Sequence, residues 1–105
     1  MIEIILDANI PKKVKRLSNG QKILHVGDID TEMDDSEILH LLSKFNSLLV
    51  TRDRELAYNA SKKHRSLFIR DPLKADEIVM CIEKNKNLLK TASIFCENGR
   101  LCKNC

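Results

Sequence analysis

The chain has 105 residues, of which 43% are hydrophobic, and its 18 basic and 15 acidic side chains give a formal net charge of +3. We expect one domain with a modest core, in a soluble cytoplasmic protein without membrane contact, because no apolar run reaches the roughly 20 residues of a membrane helix and no basic segment precedes an apolar one at the amino terminus. With three Phe, one Tyr and no Trp, an aromatic platform for stacking bases is excluded, so nucleic acid would be contacted mainly through phosphates.

The first half of the chain predicts two strands, each followed by a helix. A strand over residues 2–6 leads to a helix that begins at Pro11 and ends near Gly20, and a second strand covers residues 22–26. After a loop, the acidic stretch 34–37 has the aspartate and glutamate spacing of a helix start. The apolar face of this second helix comprises Ile38, Leu39, Leu41, Leu42 and Phe45.

The second half continues the alternation with shorter elements. Residues 48–51 read as a strand, residues 54–63 as a helix and residues 67–69 as a short strand. The dipeptide 71–72 then restarts the chain as a helix that runs to about Leu89. Alternating strands and helices predict an α/β fold with a small parallel sheet of about four strands flanked by helices.

Two of the short apolar runs lead into an aspartate. Asp7 follows the run at residues 4–6, and Asp53 lies three residues after the run at 48–50. If both runs are parallel strands, both carboxylates emerge at the carboxyl edge of one sheet, where open α/β folds place their ligand crevices. Either aspartate alone would be explained by the preference of Asp for turns and caps. Together they predict a divalent-metal site, because a cation neutralises the mutual repulsion of close carboxylates.

Four further acids are candidates for the same site, and each has an ordinary structural alternative. Asp35 is either a metal ligand or the cap of the second helix, and Glu37 either faces the site or completes a capping box. Glu55 lies in a first helical turn, where the helix dipole already favours acids. Asp28 ends the second strand and either points to the same edge or holds the following loop. Oxygen ligands in an open site suit Mg²⁺ or Mn²⁺, which favours phosphodiester hydrolysis.

Polar and basic side chains flank these acids. Asn9 and Thr51 are suited to hydrogen bonds that orient a carboxylate or a water. Five basic residues are candidates for holding RNA phosphates: Lys12, Lys13, Arg16, Arg52 and Arg54. The alternative for the first three is that they form a solvated helix face, and the alternative for the two arginines of residues 52–54 is that they balance the charge of the acids.

Four segments, LDAN, HVGDID, DDSEIL and LLVTRDRELA, resemble PIN-like ribonuclease domains in order and spacing. The similarity covers about residues 3–70 and is closest to the short Mut-seven C-terminal RNase family and its toxin-type relatives. The resemblance implies a PIN-like three-layer fold in which Asp7, Asp35 and Asp53 form a Mg²⁺ or Mn²⁺ site for cleaving single-stranded RNA. It also implies that Glu55 stands in place of a commoner fourth Asp and that Thr51 is the small hydroxyl before the third acid.

Three functions follow from these features. The first is a metal-dependent endoribonuclease in RNA processing or decay, or a growth-limiting toxin held by an antitoxin or another regulatory protein. The second is a non-catalytic module of the same fold that binds RNA or protein. The third is a DNA nuclease, because the metal chemistry attacks phosphate in either backbone. PIN-like domains commonly pair, so a homodimer is also expected.

The last part of the chain predicts a separate segment. We expect the nuclease body to cover residues 1–91 and a cysteine-containing tail to cover residues 92–105. In an unsecreted protein, clustered cysteines favour metal over disulfides. The tail is therefore either part of a zinc site or a flexible degenerate ribbon, and its three thiols belong to Cys96, Cys102 and Cys105.

A fourth zinc ligand is not evident from the sequence. Related ribbons have a cysteine where this chain has Ser93. Cys81, His64 or a partner chain could supply the missing ligand, although Cys81 lies on the apolar side of its predicted helix and fits a buried hydrophobe, and His64 fits a surface residue. His25 and His40 are explained by a strand and a helix surface.

Overall fold

A computed structural model of the protein describes residues 2–18, 22–69, 73–85 and 93–96. Its strands are β1 (Ile4–Leu6), β2 (Ile23–His25), β3 (Leu48–Thr51), β4 (Arg65–Ile69) and β5 (Ser93–Cys96). They form one sheet in the order β2-β1-β3-β4-β5, and every neighbouring pair is parallel. The helices are α1 (Lys13–Leu17), α2 (Asp35–Phe45), α3 (Arg54–Ala60) and α4 (Ala75–Asn85).

The predicted α/β architecture, a parallel sheet flanked by helices, is confirmed. Strands β1 to β4 lie where the sequence predicts them, and β5 adds a fifth strand within the segment predicted as the tail. A four-residue run such as 93–96 is too short for periodicity alone to identify as a strand. The end predicted for the last helix, near Leu89, lies outside the described residues.

The sheet separates two helical layers because side chains on a strand point alternately to opposite faces. Ile4 and Leu6 belong to the core on the α1 and α4 face, whereas Ile5 belongs to the core on the α2 and α3 face. Strand β3 alternates in the same way, with Leu49 on the α2 and α3 face. Each fully buried Leu or Ile side chain contributes about 1.5–3 kcal/mol, so the two cores fix the register of both central strands.

The ends of α2 are set by local backbone chemistry. Asp34 is its N-cap, because the Asp34 carboxylate accepts from the backbone N–H of Glu37 at 2.9 Å. At the other end, Asn46 adopts a left-handed conformation with φ of 51°, which Asn tolerates better than most residues. Of the helices in the described ranges, not one is both long enough and apolar enough to cross a bilayer.

Candidate active site

The strand order reverses direction beside β1, so the two predicted aspartates lie at a topological switch point of the sheet. From β1 the chain moves to β2 on one side and then returns to β3 on the other. In open α/β sheets, ligands bind outside the carboxyl ends of the strands at such a point. Asp7 follows β1 directly, and its backbone N–H donates to the Val50 carbonyl of β3 at 2.9 Å. The carboxyl ends of β1 and β3 are therefore joined at the predicted site.

A buried hydroxyl links the two aspartates. Thr51 Oγ1 donates to Asp7 Oδ2 at 2.5 Å and accepts from the backbone N–H of Asp53 at 2.9 Å. Asp7 Oδ1 accepts from the Ala8 N–H at 2.7 Å, so each oxygen of this carboxylate has a partner. Asp7 is 8% exposed and Thr51 is fully buried. The Asp7 carboxylate is consequently held in one orientation by Thr51 and the backbone of Ala8.

Replacing Thr51 tests this link. Thr51→Val keeps the volume but leaves Asp7 Oδ2 and the Asp53 N–H without their shared partner, so we expect a loss of about 1–3 kcal/mol in the free energy of unfolding. Thr51→Ser keeps the hydroxyl and removes one methyl, which costs about 0.8 kcal/mol. Urea unfolding of both variants measures the difference. A Val variant as stable as the Ser variant would contradict the structural role of the hydroxyl.

Asp53 serves the local fold as well as the site. It is the N-cap of α3, and its Oδ1 accepts from the backbone N–H groups of Glu55 at 3.0 Å and Leu56 at 3.2 Å. Both cap bonds use Oδ1, so the cap holds the carboxylate at the start of α3 without involving Oδ2. Glu55 itself is exposed in the first turn of α3. The cap explanation and the site explanation of Asp53 are therefore compatible.

Asp35 enters the site from α2 as its first helical residue. The cap is the preceding residue, Asp34, so the Asp35 carboxylate does not perform the capping function that the sequence left open for it. Partial desolvation raises the pKa of Asp35 above its ordinary value, and the negative charges of Asp53, Asp7, Glu55 and Asp34 raise it further. Hydrogen bonds from the Glu37 N–H and the Ser36 hydroxyl instead lower the pKa of Asp34.

Asp7, Asp35, Asp53 and Glu55 thus share one electrostatic neighbourhood, although they do not converge on a single point. Within the part of the chain that the structure describes, no group of three or more His, Cys, Asp or Glu side chains has the geometry to hold a metal ion. Mg²⁺ does not need such a group, because it binds through one or two carboxylates and completes its shell with waters and substrate phosphates. The all-oxygen donors and the mutual repulsion felt by Asp35 fit Mg²⁺ or Mn²⁺ in chemical type.

Asn9 and Arg52 connect the loops that carry Asp7 and Asp53. The Arg52 backbone N–H donates to Asn9 Oδ1 at 3.0 Å, which ties the loop after β1 to the loop after β3. The Arg52 guanidinium reaches the Leu73 carbonyl, with Nη2 at 2.5 Å from the oxygen, and so ties the same loop to the segment before α4. Arg52 therefore braces the site, in addition to any contact with phosphate.

The structure places Asp28 with basic residues of α1 and its cap. Asp28 forms ion pairs with Lys12 at 3.1 Å and Lys15 at 3.4 Å, and the hydrogen bond from Lys12 lowers the pKa of the Asp28 carboxyl. Among the predicted phosphate ligands, Lys12 is thus partly neutralised, whereas Lys13 and Arg16 are exposed on α1. Arg54 is the exposed first residue of α3, beside the acids.

Glu37 lies apart from the acids. It lines a groove of about 400 Å³ on the α2 surface together with Ile29, Met33 and Leu41, and its charge is not among those that raise the pKa of Asp35. The three-residue spacing of Asp34 and Glu37 predicted a helix start here, and Asp34 rather than Asp35 provides the cap.

The imidazole of His25 has a structural role that the sequence did not reveal. His25 is 1% exposed; its Nδ1 accepts from the Gly27 N–H at 2.9 Å, so its Nε2 donates to the Ile10 carbonyl at 2.7 Å. A Cβ on Gly27 would approach the ring to 3.0 Å, which explains the glycine. His25 therefore ties β2 to the loop before α1.

Of the three predicted zinc ligands in the tail, one is among the described residues. Cys102 and Cys105 lie outside the described residues, and Cys96 is described only as the last residue of β5. Cys81 is buried in the core on the α1 and α4 face, as predicted. It is also disulfide-bonded, which differs from the expectation that cysteines in this chain favour metal over disulfides.

Comparison with known proteins does not identify a relative: no family model, no curated protein and no solved structure matches the chain.

Proposed function

We propose that the chain is a Mg²⁺- or Mn²⁺-dependent endoribonuclease of the PIN-like type that hydrolyses phosphodiester bonds in single-stranded RNA. The observation that carries the proposal is the arrangement at the carboxyl edge. A buried hydroxyl bridges the Asp7 carboxylate to the backbone of Asp53, and Asp35 from a third element lies close enough to both carboxylates for their charges to raise its pKa. A fold that gathers repelling carboxylates at one edge of its sheet gains from a cation there.

The roles of the chain's own residues follow from this geometry. Asp7, oriented by Thr51, and Asp53, held by its cap, would bind the cation, and Asp35 would complete the negative field. When bound, the cation supplies Lewis acidity to the scissile phosphate and lowers the pKa of an attacking water. Glu55, exposed in the first turn of α3, would add charge or hold a water at the site.

The basic residues near the site would position the substrate. Arg54 begins α3 directly after Asp53, so its guanidinium is the nearest exposed cation along the chain to the acids. Lys13 and Arg16 on α1 would contact flanking phosphates, and Lys12 would do so in exchange for its ion pair with Asp28. Such contacts hold the backbone without reading base sequence.

Cleavage assays test the function and separate it from the alternatives. We expect the purified protein to cleave single-stranded RNA in Mn²⁺ or Mg²⁺, to leave duplex RNA and DNA intact, and to lose activity in EDTA. Cleavage of DNA at a similar rate would instead identify a general nuclease. Metal-independent binding of RNA with no cleavage of any substrate would instead support the non-catalytic module.

The biological setting proposed with this activity is RNA processing or decay, or growth limitation as a toxin. An antitoxin or a second copy of the chain would be the protein partner. Zinc binding by the cysteines of the tail is a separate proposal, and the disulfide at Cys81 makes the redox state of the sample a condition of any zinc measurement.

A further inference from the structure

A second groove, of about 350 Å³, runs between α2 and the end of α3. On the α2 side it is lined by Ser36, Leu39, His40 and Ser43, and on the α3 side by Asn59 and residues 62–64. Apart from Leu39, the lining side chains carry hydroxyl, amide, imidazole and ammonium groups, and none is a carboxylate. These are the side chains that contact phosphate oxygens in protein complexes with nucleic acids.

Two lysines give the groove its charge. Lys62 and Lys63 are both exposed, and neither forms an ion pair with another described residue. The Lys62 ammonium lies 5.3 Å from the ring centroid of Tyr58, a cation–π contact that restrains the side chain. Lys12, in contrast, is engaged by Asp28. The α2–α3 groove therefore presents cations whose charge is available to an anionic ligand.

One end of the groove lies one residue from the acidic edge along α2. Ser36, at one end of the groove, follows Asp35 in the first turn of α2. The other wall belongs to α3, which begins immediately after Asp53. From Ser36 to Ser43 the helix rises about 10 Å, so the groove leads away from the acids by more than one turn of helix. At the far end, His64 Nε2 lies 3.3 Å from Ser43 Oγ.

We infer that the α2–α3 groove binds the phosphate backbone of single-stranded RNA on one side of the scissile bond, with Lys62 and Lys63 as its principal phosphate contacts. The inference rests on the proposed function, because it supplies that site with a path for its substrate. In this arrangement the RNA strand leaves the acids beside Ser36 and passes between α2 and α3. The lining contains no Phe, Tyr or Trp on which bases could stack, and the nearby Tyr58 ring contacts the Lys62 ammonium instead. The groove therefore contacts phosphates and has little sequence preference.

Removal of the two lysines tests the groove. Lys62→Ala/Lys63→Ala is compared with Lys15→Ala/Lys22→Ala, which removes the same charge from α1 and the start of β2, away from the groove. Binding of a fluorescent single-stranded RNA is measured by anisotropy in EDTA, so that cleavage does not interfere. We expect affinity to fall on the order of tenfold for the groove variant, and the slope of log K against log salt to become shallower by about 1.4, or about 0.7 for each lost phosphate contact.

Three outcomes would overturn the inference. The first is equal affinity and salt slope for the two double variants. The second is full RNA affinity in Lys62→Gln/Lys63→Gln, which keeps side-chain length but not charge and guards against a folding defect. The third is displacement of the RNA by polyglutamate at equal charge concentration, which would indicate an acidic protein as the ligand.

The binding assay is independent of the chemistry, so the two proposals fail in different ways. If the protein cleaves no nucleic acid but the groove variant alone loses affinity, the ribonuclease proposal is wrong and the groove remains an RNA site. If cleavage depends on the acids but both double variants bind and cleave equally, the ribonuclease proposal stands and the groove assignment is wrong.

Discussion

Asp7→Asn is expected to reduce Mn²⁺-dependent cleavage of single-stranded RNA by about a thousandfold or more. The substitution removes the negative charge and one of the two acceptor oxygens: the amide oxygen can still accept from the Ala8 N–H, which now bonds Oδ1, while the amide NH2 takes the place of Oδ2 beside Thr51 Oγ1. Metal stabilisation of a transition state is worth several kcal/mol, and each 1.36 kcal/mol corresponds to a factor of ten in rate. Single-turnover cleavage at saturating metal measures the loss.

The matched control is Glu3→Gln at the opposite edge of the sheet. Glu3 is exposed, and its Oε1 accepts from the Lys22 N–H at 3.1 Å, a bond that a glutamine oxygen can also accept. This variant carries the same change in net charge and should retain full activity. Cleavage by Asp7→Asn at the rate of the Glu3→Gln control would show that the acidic edge is not the active site.

The parts of the fold that follow from periodicity were predictable. Strands β1 and β3 are short apolar runs with turn-forming residues after them, and α2 combines a cap signal with an apolar stripe. The order of the strands in the sheet was not predictable from local pattern, because it depends on which layer each helix joins. That order makes β1 and β3 neighbours and so brings Asp7 and Asp53 together. The sequence indicated the two acids and the edge of the sheet, and the structure supplied the pairing of β1 with β3.

The cap of α2 and the α2–α3 groove were not predictable for a different reason. Asp34 and Asp35 are adjacent and chemically identical, and only the helix start decides which one caps α2. The α2–α3 groove depends on residues 62–64, which follow α3 and read as an ordinary solvated run of charge. Their position opposite α2 is a tertiary feature. Local sequence therefore identifies the candidate side chains, and tertiary packing decides which of them lie close together.

Asp35→Asn is expected to stabilise the metal-free protein at neutral pH and to reverse that effect when Mn²⁺ is present. Desolvation and the charges of Asp53, Asp7, Glu55 and Asp34 raise the pKa of Asp35 in the folded state. As pH rises past the ordinary value of an aspartate, the unfolded chain loses this proton first. The free energy of unfolding therefore falls until pH has passed the raised pKa of the folded state. Above that pH the carboxylate destabilises the fold.

The size of the metal-free effect is modest, because solvent screens an exposed carboxyl. We expect a gain of about 0.5 kcal/mol for Asp35→Asn in EDTA at pH 7.5, and no gain at a pH below the ordinary value of aspartate, where the wild-type carboxyl is protonated in both states. In contrast, a cation at 100 times its Kd stabilises the wild type by about 2.7 kcal/mol. Asp35→Asn lacks part of the negative charge at the site, so Mn²⁺ should stabilise it less than the wild type. In Mn²⁺ the wild type is therefore the more stable of the two.

Thermal unfolding in EDTA and in Mn²⁺ measures the reversal, and Asp34→Asn is its control. Asp34 carries the same charge at the neighbouring position, but hydrogen bonds from the Glu37 N–H and the Ser36 hydroxyl lower the pKa of its carboxyl, and asparagine also caps helices. Its replacement should therefore give no stabilisation in EDTA. If both variants change the unfolding temperature by the same amount relative to the wild type, the cause is the loss of one negative charge in general and not the position of Asp35. If the unfolding temperature of the wild type does not respond to Mn²⁺, then Asp7, Asp35, Asp53 and Glu55 repel one another without holding a metal.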